Sequence, residues 1–295
     1  MILALTGATG FVGGHVLEQA LAAGHTVHAL TRREQLPRDR VTWVQGDLAR
    51  PGALCEGAAA VVHVAGVVNA LTKQGFVAGN VDGTCAMLRA AEEADVRRFV
   101  HVSSLAAREP QLSLYGWSKR EAEALVEESE LDWTIVRPPA VYGPGDMEIR
   151  DVFRAARLGV VPLPPPGRMS VLHAADLARL LLAVAAGGER VTYEPEDASG
   201  ALTNADFARA IGQAVGRTVL PLPLPGALLS LGARLDGAMR GNGAKLTADR
   251  VAYMIHPDWS ADPARCVPRA LWTPRIDLAT GLAETARWYR ARGLL

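Results

Sequence analysis

The pentapeptide Tyr115-Gly116-Trp117-Ser118-Lys119 places a phenol and an ammonium group four residues apart. The hydrophobic pattern predicts a helix over 115–129, in which these two side chains lie on one face. A free tyrosine has a pKa of about 10, and a neighbouring cation favours its ionised form, so such a pair is suited to relaying a proton. The alternative is a solvated helix face, because an exposed pair of this composition occurs in many helices.

A serine pair adds a hydroxyl group to these candidates. Ser103 closes the apolar run 98–103, which we predict to be a central strand of a parallel sheet, and Ser104 follows it. Ser104 is therefore expected at the carboxyl edge of the sheet, where open α/β folds bind ligands. Ser103 is the alternative for this position.

A glycine-rich turn lies near the N-terminus of the chain. Residues 6–13 read TGATGFVG and separate a predicted strand over 2–6 from a predicted helix over 11–23. Glycines permit a tight turn and a close backbone approach to a pyrophosphate, whose charge is stabilised by the unpaired N–H groups at the start of the helix. The alternative is a tight turn without a ligand, but the strand before it and the helix after it favour dinucleotide binding.

These residues need a sheet to position them, and short β-rich runs that alternate with helical stretches predict one. The expected fold class is α/β, with a Rossmann-type doubly wound parallel sheet and a smaller, mostly helical C-terminal substrate lobe. The dinucleotide-binding domain is predicted over 1–145 and the lobe over 146–295, and a helix near 174–187 is expected to return to the first domain. The predicted strands are 2–6, 26–31, 41–45, 59–65, 98–103 and 133–137, and the predicted helices are 11–23, 72–94, 115–129, 174–186, 204–215, 226–239 and 277–289.

The spacing of the glycine-rich turn, GxxGxxG, resembles that of the short-chain dehydrogenase/reductase superfamily. The longer stretch TGATGFVGG is similar to the extended branch, which includes epimerases, dehydratases and dihydroflavonol or steroid-type reductases. Asp47-Leu48, His63 to Gly66 and the NVDGT segment that begins at Asn80 match further family positions. The closing segment from Leu271 to Tyr289 also resembles extended members, so the likeness covers nearly the whole chain.

The resemblance implies roles for the candidate residues. Ser104 would hydrogen-bond the substrate oxygen, Tyr115 would exchange its proton as general acid or base, and Lys119 would tune Tyr115 and hold the nicotinamide ribose. Asp47 would contact the adenine. The implied cofactor-binding residues are Thr6, Gly7, Thr9, Gly10, Phe11, Val12, Gly13, Arg32, Arg33, Asp47, Leu48, Val64, Ala65, Gly66, Asn80, Val102, Tyr115, Lys119 and Pro138.

The residues after the second predicted strand bear on the choice of cofactor. An NAD site places a carboxylate there for the ribose 2′-hydroxyl, whereas an NADP site places an arginine there for the 2′-phosphate. This strand ends Leu30-Thr31-Arg32-Arg33, and the first carboxylate is Glu34. We therefore predict NADP over NAD, with two solvated arginines as the alternative.

Two departures from the nucleotide-sugar members bear on the substrate. The segment between Ser104 and Tyr115 is short, and Met169-Ser170 occupies the place of the Arg-Asp pair that meets the diphosphate in those enzymes. We therefore expect an apolar carbonyl or alcohol as substrate, while His173, at a strand end, is expected to be structural. The candidate lining residues are Trp117, Pro139, Ala140, Val141, Tyr142, Met147 and the segment 219–225.

From the composition we do not expect several other kinds of partner or site. The 31 basic and 31 acidic residues cancel, so neither nucleic acid nor a membrane surface is an expected partner. The three cysteines are widely spaced, so we expect no metal site and a location in the reducing cytoplasm. The N-terminus lacks the features of a secretory signal, which agrees with that expectation. A homodimer through the Tyr115 helix stays open, because Glu121, Glu123, Glu127 and Glu128 could equally form a solvated face.

Together these patterns predict an NADP-dependent oxidoreductase that transfers a hydride between nicotinamide and a carbonyl or alcohol of an apolar small molecule. The first alternative is a nucleotide-sugar epimerase or dehydratase that recycles a tightly held NAD. The second is a non-catalytic dinucleotide-binding sensor or assembly protein, which would have no need for Ser104, Tyr115 and Lys119 together.

Overall fold

The computed structural model describes residues 1–241 and 246–295 of the 295-residue chain. It divides into two compact units. The first comprises residues 1–138, 175–195 and 265–273, and the second comprises residues 139–174, 196–264 and 274–295.

The elements up to residue 138 alternate strand and helix. They are β1 (Ile2–Thr6), α1 (Phe11–Ala22), β2 (Thr26–Thr31), β3 (Val41–Gln45), β4 (Ala60–His63), α2 (Lys73–Phe76), a π-helical turn (Val77–Asp82), α3 (Gly83–Glu93), β5 (Arg98–Val102), a 3₁₀ turn (Leu105–Arg108), α4 (Leu114–Glu128) and β6 (Asp132–Val136).

The later elements are shorter strands mixed with helices. They are β7 (Ala140–Tyr142), α5 (Arg150–Arg157), β8 (Val160–Leu163), β9 (Arg168–Met169), β10 (Val171–His173), α6 (Ala174–Ala185), β11 (Val191–Tyr193), β12 (Leu202–Thr203), α7 (Asn204–Val215), β13 (Leu220–Pro223), α8 (Gly226–Arg240), α9 (Ala248–Met254), β14 (Asp258–Trp259) and α10 (Leu278–Ala291).

The first unit is built on a seven-stranded sheet in the order β3-β2-β1-β4-β5-β6-β11. Every neighbouring pair is parallel. The strand order reverses between β1 and β4, and such a switch point opens a crevice at the carboxyl ends of the strands. β4 and β5 are buried along their whole length, as expected for central strands covered on both faces. Strand β11 was not among the predicted strands, because three residues carry too short a hydrophobic pattern.

The predicted continuous helix over 72–94 is wrong in its middle. The chain instead forms α2, a π-helical turn and α3 in succession. Two glycines in this stretch touch neighbouring loops so closely that a Cβ on Gly79 would lie 2.2 Å from Val67 Cγ2 and one on Gly83 would lie 2.9 Å from Leu48 Cδ1. The wider turn accommodates these contacts, and π turns of this kind are frequent at functional sites.

The second unit has its own core and three small sheets. β7 pairs with β10, β8 pairs with β13, and β9 lies between β12 and β14. Tyr142, Phe153, Phe207, Leu282 and Tyr289 are buried in its core. The prediction of Tyr142 as a substrate-lining residue is therefore wrong, because its ring is 1% exposed and packs edge-on against His173 and Phe207. His173 is the last residue of β10, as predicted for a structural strand end.

Candidate functional site

The predicted catalytic and cofactor-binding residues all lie in the first unit, at one edge of the sheet. They end or follow the six strands β1 to β6, or they lie on α1, the π-helical turn or α4. Because the six strands are parallel, their carboxyl ends meet at the same edge, which is the ligand-binding edge of open α/β sheets.

The glycine-rich turn between β1 and α1 is closely packed. Gly7 has a φ of +78°, and a Cβ on Gly13 would lie 2.0 Å from the Gly7 carbonyl oxygen, so α1 can approach β1 only if residue 13 lacks a side chain. The amide of Gly10 donates to the Gly7 carbonyl at 2.9 Å. No side chain caps the start of α1, where Gly10 stands at the N-cap position.

These features fit a dinucleotide pyrophosphate. The first N–H groups of α1 carry no side-chain cap and lie at the positive end of the helix dipole, so they can bind phosphate oxygens. A Cβ on Gly10 would meet only the Gly7 carbonyl oxygen, at 3.3 Å, which leaves room for a ligand on its other side.

Arg32 and Arg33 follow β2 on an ordered turn. The buried Thr31 hydroxyl donates to the Arg33 carbonyl at 2.7 Å, and the Arg33 amide lies 3.2 Å from the same hydroxyl oxygen. Both arginine side chains are exposed, and neither forms an ion pair within residues 1–241 and 246–295. Asp47 lies after β3, where its carboxylate accepts the Arg50 amide at 3.0 Å.

A chain of hydrogen bonds joins the ends of β1 and β4. The Thr6 hydroxyl oxygen accepts the amides of Val64 and Ala65 at 3.1 and 3.0 Å and lies 2.8 Å from His63 Nδ1. Because that oxygen already accepts two N–H groups, its own proton is directed to Nδ1, and His63 Nε2 can then donate to Thr84 at 3.2 Å. The turn from Val64 to Gly66 is thereby fixed at the switch point of the sheet.

Asn80 on the π-helical turn connects this loop to α4. Its amide group both donates to and accepts from the backbone of Val67, at 2.9 and 2.7 Å, and also donates to the Ser118 hydroxyl at 2.8 Å. The residue was predicted from the family resemblance to bind cofactor. In the structure, the hydrogen bond from Asn80 to Ser118 helps to orient α4.

Lys119 extends from α4 to the end of β5. Its Nζ donates to the Val102 carbonyl at 3.0 Å, and only 5% of the residue is exposed. Burial lowers the pKa of Lys119 to about 8, and the carboxylate of Glu123 opposes this shift. A Cβ on Gly66 would lie 3.2 Å from Nζ, so the absence of a side chain at that position makes room for the ammonium group.

Ser104 lies two residues after the end of β5, at the N-cap of the 3₁₀ turn. Its Oγ accepts the Ala106 amide at 3.2 Å, which leaves the hydroxyl proton available for an oxygen of another molecule. Ser103, the alternative, is 4% exposed, and its hydroxyl has no hydrogen-bond partner in the described part of the chain. Ser104 is therefore better placed than Ser103 to donate a hydrogen bond to a ligand.

Tyr115 is the second residue of α4, and its ring lies 6.3 Å from that of Phe76. It shares this helix with Lys119 at a spacing of four residues, so both side chains project from one face. Gly116 permits close packing here, because a Cβ on it would lie 2.6 Å from the carbonyl oxygen of Ala106 in the 3₁₀ turn. The start of α4 is thus held against the turn that Ser104 caps.

Buried ion pairs hold the middle of α4. Arg137, directly after β6, forms a bidentate pair with Glu123 at 2.8 and 2.7 Å and also contacts Glu194. Arg120 and Arg108 complete the network through Glu123 and Glu194 respectively. Glu123 is fully buried, so it is not part of a solvated face, which was one of the two alternatives left open for this helix.

Sequence reasoning assigned no role to two buried histidines near Lys119. His63 and His101 occupy paired positions on β4 and β5, with their rings 5.5 Å apart. Burial, reinforced by the charge of Lys119, lowers the pKa of His63 to about 3 and that of His101 well below its usual range. Both rings are therefore neutral at physiological pH. The only sign of these residues in the sequence was that a histidine stands in each of two predicted strands.

The described residues contain no cluster of metal-ligand side chains, and they include no helix long and apolar enough to cross a membrane.

The fold and the glycine-rich turn of residues 6–13, which we call the glycine cradle, define an NAD(P)-binding protein, and comparisons with known proteins agree. The NAD(P)H-binding family model matches residues 7–187. The chain is 37% identical to the ceramide reductase of Caulobacter vibrioides over 100% of this chain and 96% of that protein. It is 26% identical to a putative dihydroflavonol 4-reductase of Synechocystis over 98% and 94% of the two chains.

Among solved structures, the chain resembles the dTDP-glucose 4,6-dehydratase DesIV of Streptomyces venezuelae. The TM-score is 0.75, with 24% identity over 99% of this chain and 98% of that one. At this identity the likeness concerns the fold. The chain belongs to the NAD(P)H-binding family, and its relatives and its fold are those of the extended short-chain dehydrogenases/reductases. The predicted fold class and family are thereby confirmed, and the protein is an enzyme of the oxidoreductase class.

Proposed function

We propose that this protein is an NADPH-dependent reductase that converts a ketone of a ceramide-like lipid into the corresponding secondary alcohol. The observation that carries the proposal is the position of Lys119, whose buried ammonium group is bonded to the end of β5 on the helix face that also bears Tyr115. A desolvated cation beside a phenol favours proton exchange at the phenol oxygen.

The site residues have distinct parts in this reaction. The Ser104 hydroxyl donates a hydrogen bond to the ketone oxygen, since its own oxygen is engaged by the Ala106 amide. Tyr115 then transfers its phenolic proton to that oxygen while the carbonyl carbon receives a hydride, and the product is an alcohol. Lys119 stabilises the tyrosinate that remains. When bound, the reduced nicotinamide supplies the hydride, and the residues of the glycine-rich turn would hold its pyrophosphate.

The choice of NADPH rests on the turn after β2. Arg32 and Arg33 are exposed and unpaired within the described residues, and the backbone between them is fixed by Thr31. A guanidinium group in this position is suited to the 2′-phosphate that distinguishes NADP from NAD.

The choice of an apolar lipid rests on two observations. The relative that matches this chain over its full length is named a ceramide reductase. In addition, Ser170 stands where nucleotide-sugar enzymes carry part of a diphosphate-binding Arg-Asp pair, and it is fully buried. Its hydroxyl bonds Glu196 at 2.5 Å and accepts the Ala261 amide at 2.9 Å, so it is not free to meet a phosphate.

A substrate panel tests this proposal. Purified protein would be incubated with NADPH and either a ceramide whose secondary alcohol has been oxidised to a ketone, a steroid ketone, or UDP-glucose, and NADPH oxidation would be followed by absorbance. We expect turnover with the ketone lipid and none with UDP-glucose. In a parallel incubation with NAD⁺ in place of NADPH, conversion of UDP-glucose without net reduction of NAD⁺ would instead establish the epimerase alternative.

A further inference from the structure

The second unit carries an exposed surface on which arginines and leucines lie together. Arg154, Arg157, Leu158 and Arg217 line a cavity of about 510 Å³. The strand that follows Arg217 adds two exposed leucines. We refer to Arg154, Arg157, Leu158, Arg217, Leu220 and Leu222 as the arginine–leucine surface.

Two similar helix–strand units bring these residues together. Helix α5 leads into β8 and helix α7 leads into β13, and the two strands run parallel, with Leu220 opposite Val160. A glycine of positive φ stands between each helix and its strand: Gly216 is the C-cap of α7, and Gly159 follows Leu158, the C-cap of α5. The last turns of both helices therefore lie at the same end of the paired strands. The arginines of these turns therefore converge at one place.

The surface is positively charged. Arg157 and Arg217 are exposed and form no ion pair with any described residue. Arg154 lies 3.4 Å from the Asp151 carboxylate and donates from Nε to the Leu294 carbonyl at 3.0 Å. The C-terminal ends of α5 and α7 contribute partial negative charges of about half a unit each. Two uncompensated guanidinium groups and a partly compensated third outweigh them.

The leucines of this surface are largely exposed to water. Leu158 is 86% exposed, Leu220 is 63% and Leu222 is 45%. Apolar side chains exposed beside cationic groups are a combination that occurs at interaction sites.

The free edge of β13 argues against a protein partner that would pair with the strand. The amides of Leu220 and Leu224 donate toward β8, so the alternate positions 221 and 223 point to the other edge. Both are prolines, which have no N–H to donate. Strand addition at this edge is therefore disfavoured.

We propose that the arginine–leucine surface docks the protein on an anionic phospholipid bilayer. Arginines would bind lipid phosphates while the leucines enter the interface, which is the combination that interfacial segments use. Helix α8 begins three residues after β13 and exposes Leu228, Leu231, Leu235 and Met239, which share one face by their spacing, so the apolar exposure continues along the chain. Zero net charge does not oppose docking, because the attraction is local and acts within a Debye length.

The proposal goes beyond the proposed reduction and does not depend on it, because docking is measured without turnover. Full-length protein would be co-sedimented with vesicles of phosphatidylcholine alone or with about 30% phosphatidylglycerol, at low salt and at about 0.5 M salt. The test variants are Arg157→Gln/Arg217→Gln and Leu220→Ser/Leu222→Ser. The matched control is Leu36→Ser/Arg89→Gln in the first unit, where Leu36 is 87% exposed and Arg89 is also exposed.

We expect binding only to the anionic vesicles, weakened by salt and reduced roughly 10- to 30-fold by the arginine pair. The leucine pair should also weaken it, while the control binds like the unmodified protein. Absence of vesicle binding, or binding that neither test pair reduces, would overturn the proposal. Stabilisation by inorganic phosphate without vesicle binding would equally overturn it, in favour of a site for free phosphate esters.

Discussion

Lys119 combines a positive charge with nearly complete burial, and this conflict lowers its pKa to about 8. The groups that face it are Glu123, which favours the charge, and the neutral rings of His63 and His101, which add no positive charge of their own. Its charge is therefore lost as the pH rises through the range in which many enzymes are assayed.

This predicts a pH dependence of reduction. Because charged Lys119 and protonated Tyr115 are both required for transfer of a proton to the ketone, kcat/KM should fall as the pH rises above about 8. Lys119→Arg keeps the charge at high pH, so its basic limb should move upward even if its maximal rate is lower. If kcat/KM of this variant falls at the same pH as that of the unmodified protein, while NADPH still binds, then Lys119 does not determine the pH dependence.

The residue that decides cofactor preference is predicted to be Arg32. A charge-assisted hydrogen bond contributes about 1.5–3 kcal/mol, so Arg32→Ala should weaken NADPH binding by roughly 10- to 100-fold and leave NADH binding unchanged. Calorimetric titration with both nucleotides measures this. Arg38→Ala is the control, because Arg38 is already paired with Glu18 at 2.7 Å. Equal losses of affinity for NADPH and NADH would show that Arg32 does not bind the 2′-phosphate.

At the scale of elements, the approach of α1 to β1 depends on Gly13. A Cβ at that position would lie 2.0 Å from the Gly7 carbonyl oxygen, so Gly13→Ala should force the turn open, destabilise the first unit by about 3 kcal/mol and weaken nucleotide binding. Gly14→Ala is the matched control, because its Cβ would meet only Ala8 O at 3.7 Å. Thermal unfolding and nucleotide titration of both variants provide the comparison, and equal behaviour would contradict this reading of the cradle.

The strands and helices of the first unit were predictable where one signal dominated. The runs before Gly7 and around Val61 predicted β1 and β4, and the hydrophobic pattern of 115–129 predicted the helix α4 that carries Tyr115 and Lys119. The π-helical turn was not predictable, because it arises from contacts of Gly79 and Gly83 with loops distant in sequence. The burial of Glu123 was not predictable for the same reason, since its partner Arg137 lies beyond β6.

The same limit applies to the site. Glycine spacing and strand ends located its residues, since parallel strands end at one edge. The bonds from Thr6 to His63 and from Asn80 to Ser118 fix the distances among those residues, and they join side chains 57 and 38 positions apart. Such pairings depend on tertiary contacts that no local pattern encodes.

At the scale of the whole molecule, the two units carry different parts of the account. The first holds the glycine cradle, Ser104, Tyr115 and Lys119. The second has a separate core and the arginine–leucine surface. Because these features lie on separate units, we expect substitutions in the first unit to alter the chemistry and substitutions in the second to alter contact with a bilayer.

The measurement that tests the central claim most directly follows the hydride itself. The protein would be incubated with the ketone lipid and NADPH deuterated at nicotinamide C4 on the transferred side, and the product would be analysed by mass spectrometry. We predict an alcohol that carries one deuterium, and its loss in Tyr115→Phe although that variant still binds NADPH. A product without deuterium, or undiminished reduction by Tyr115→Phe, would contradict the account.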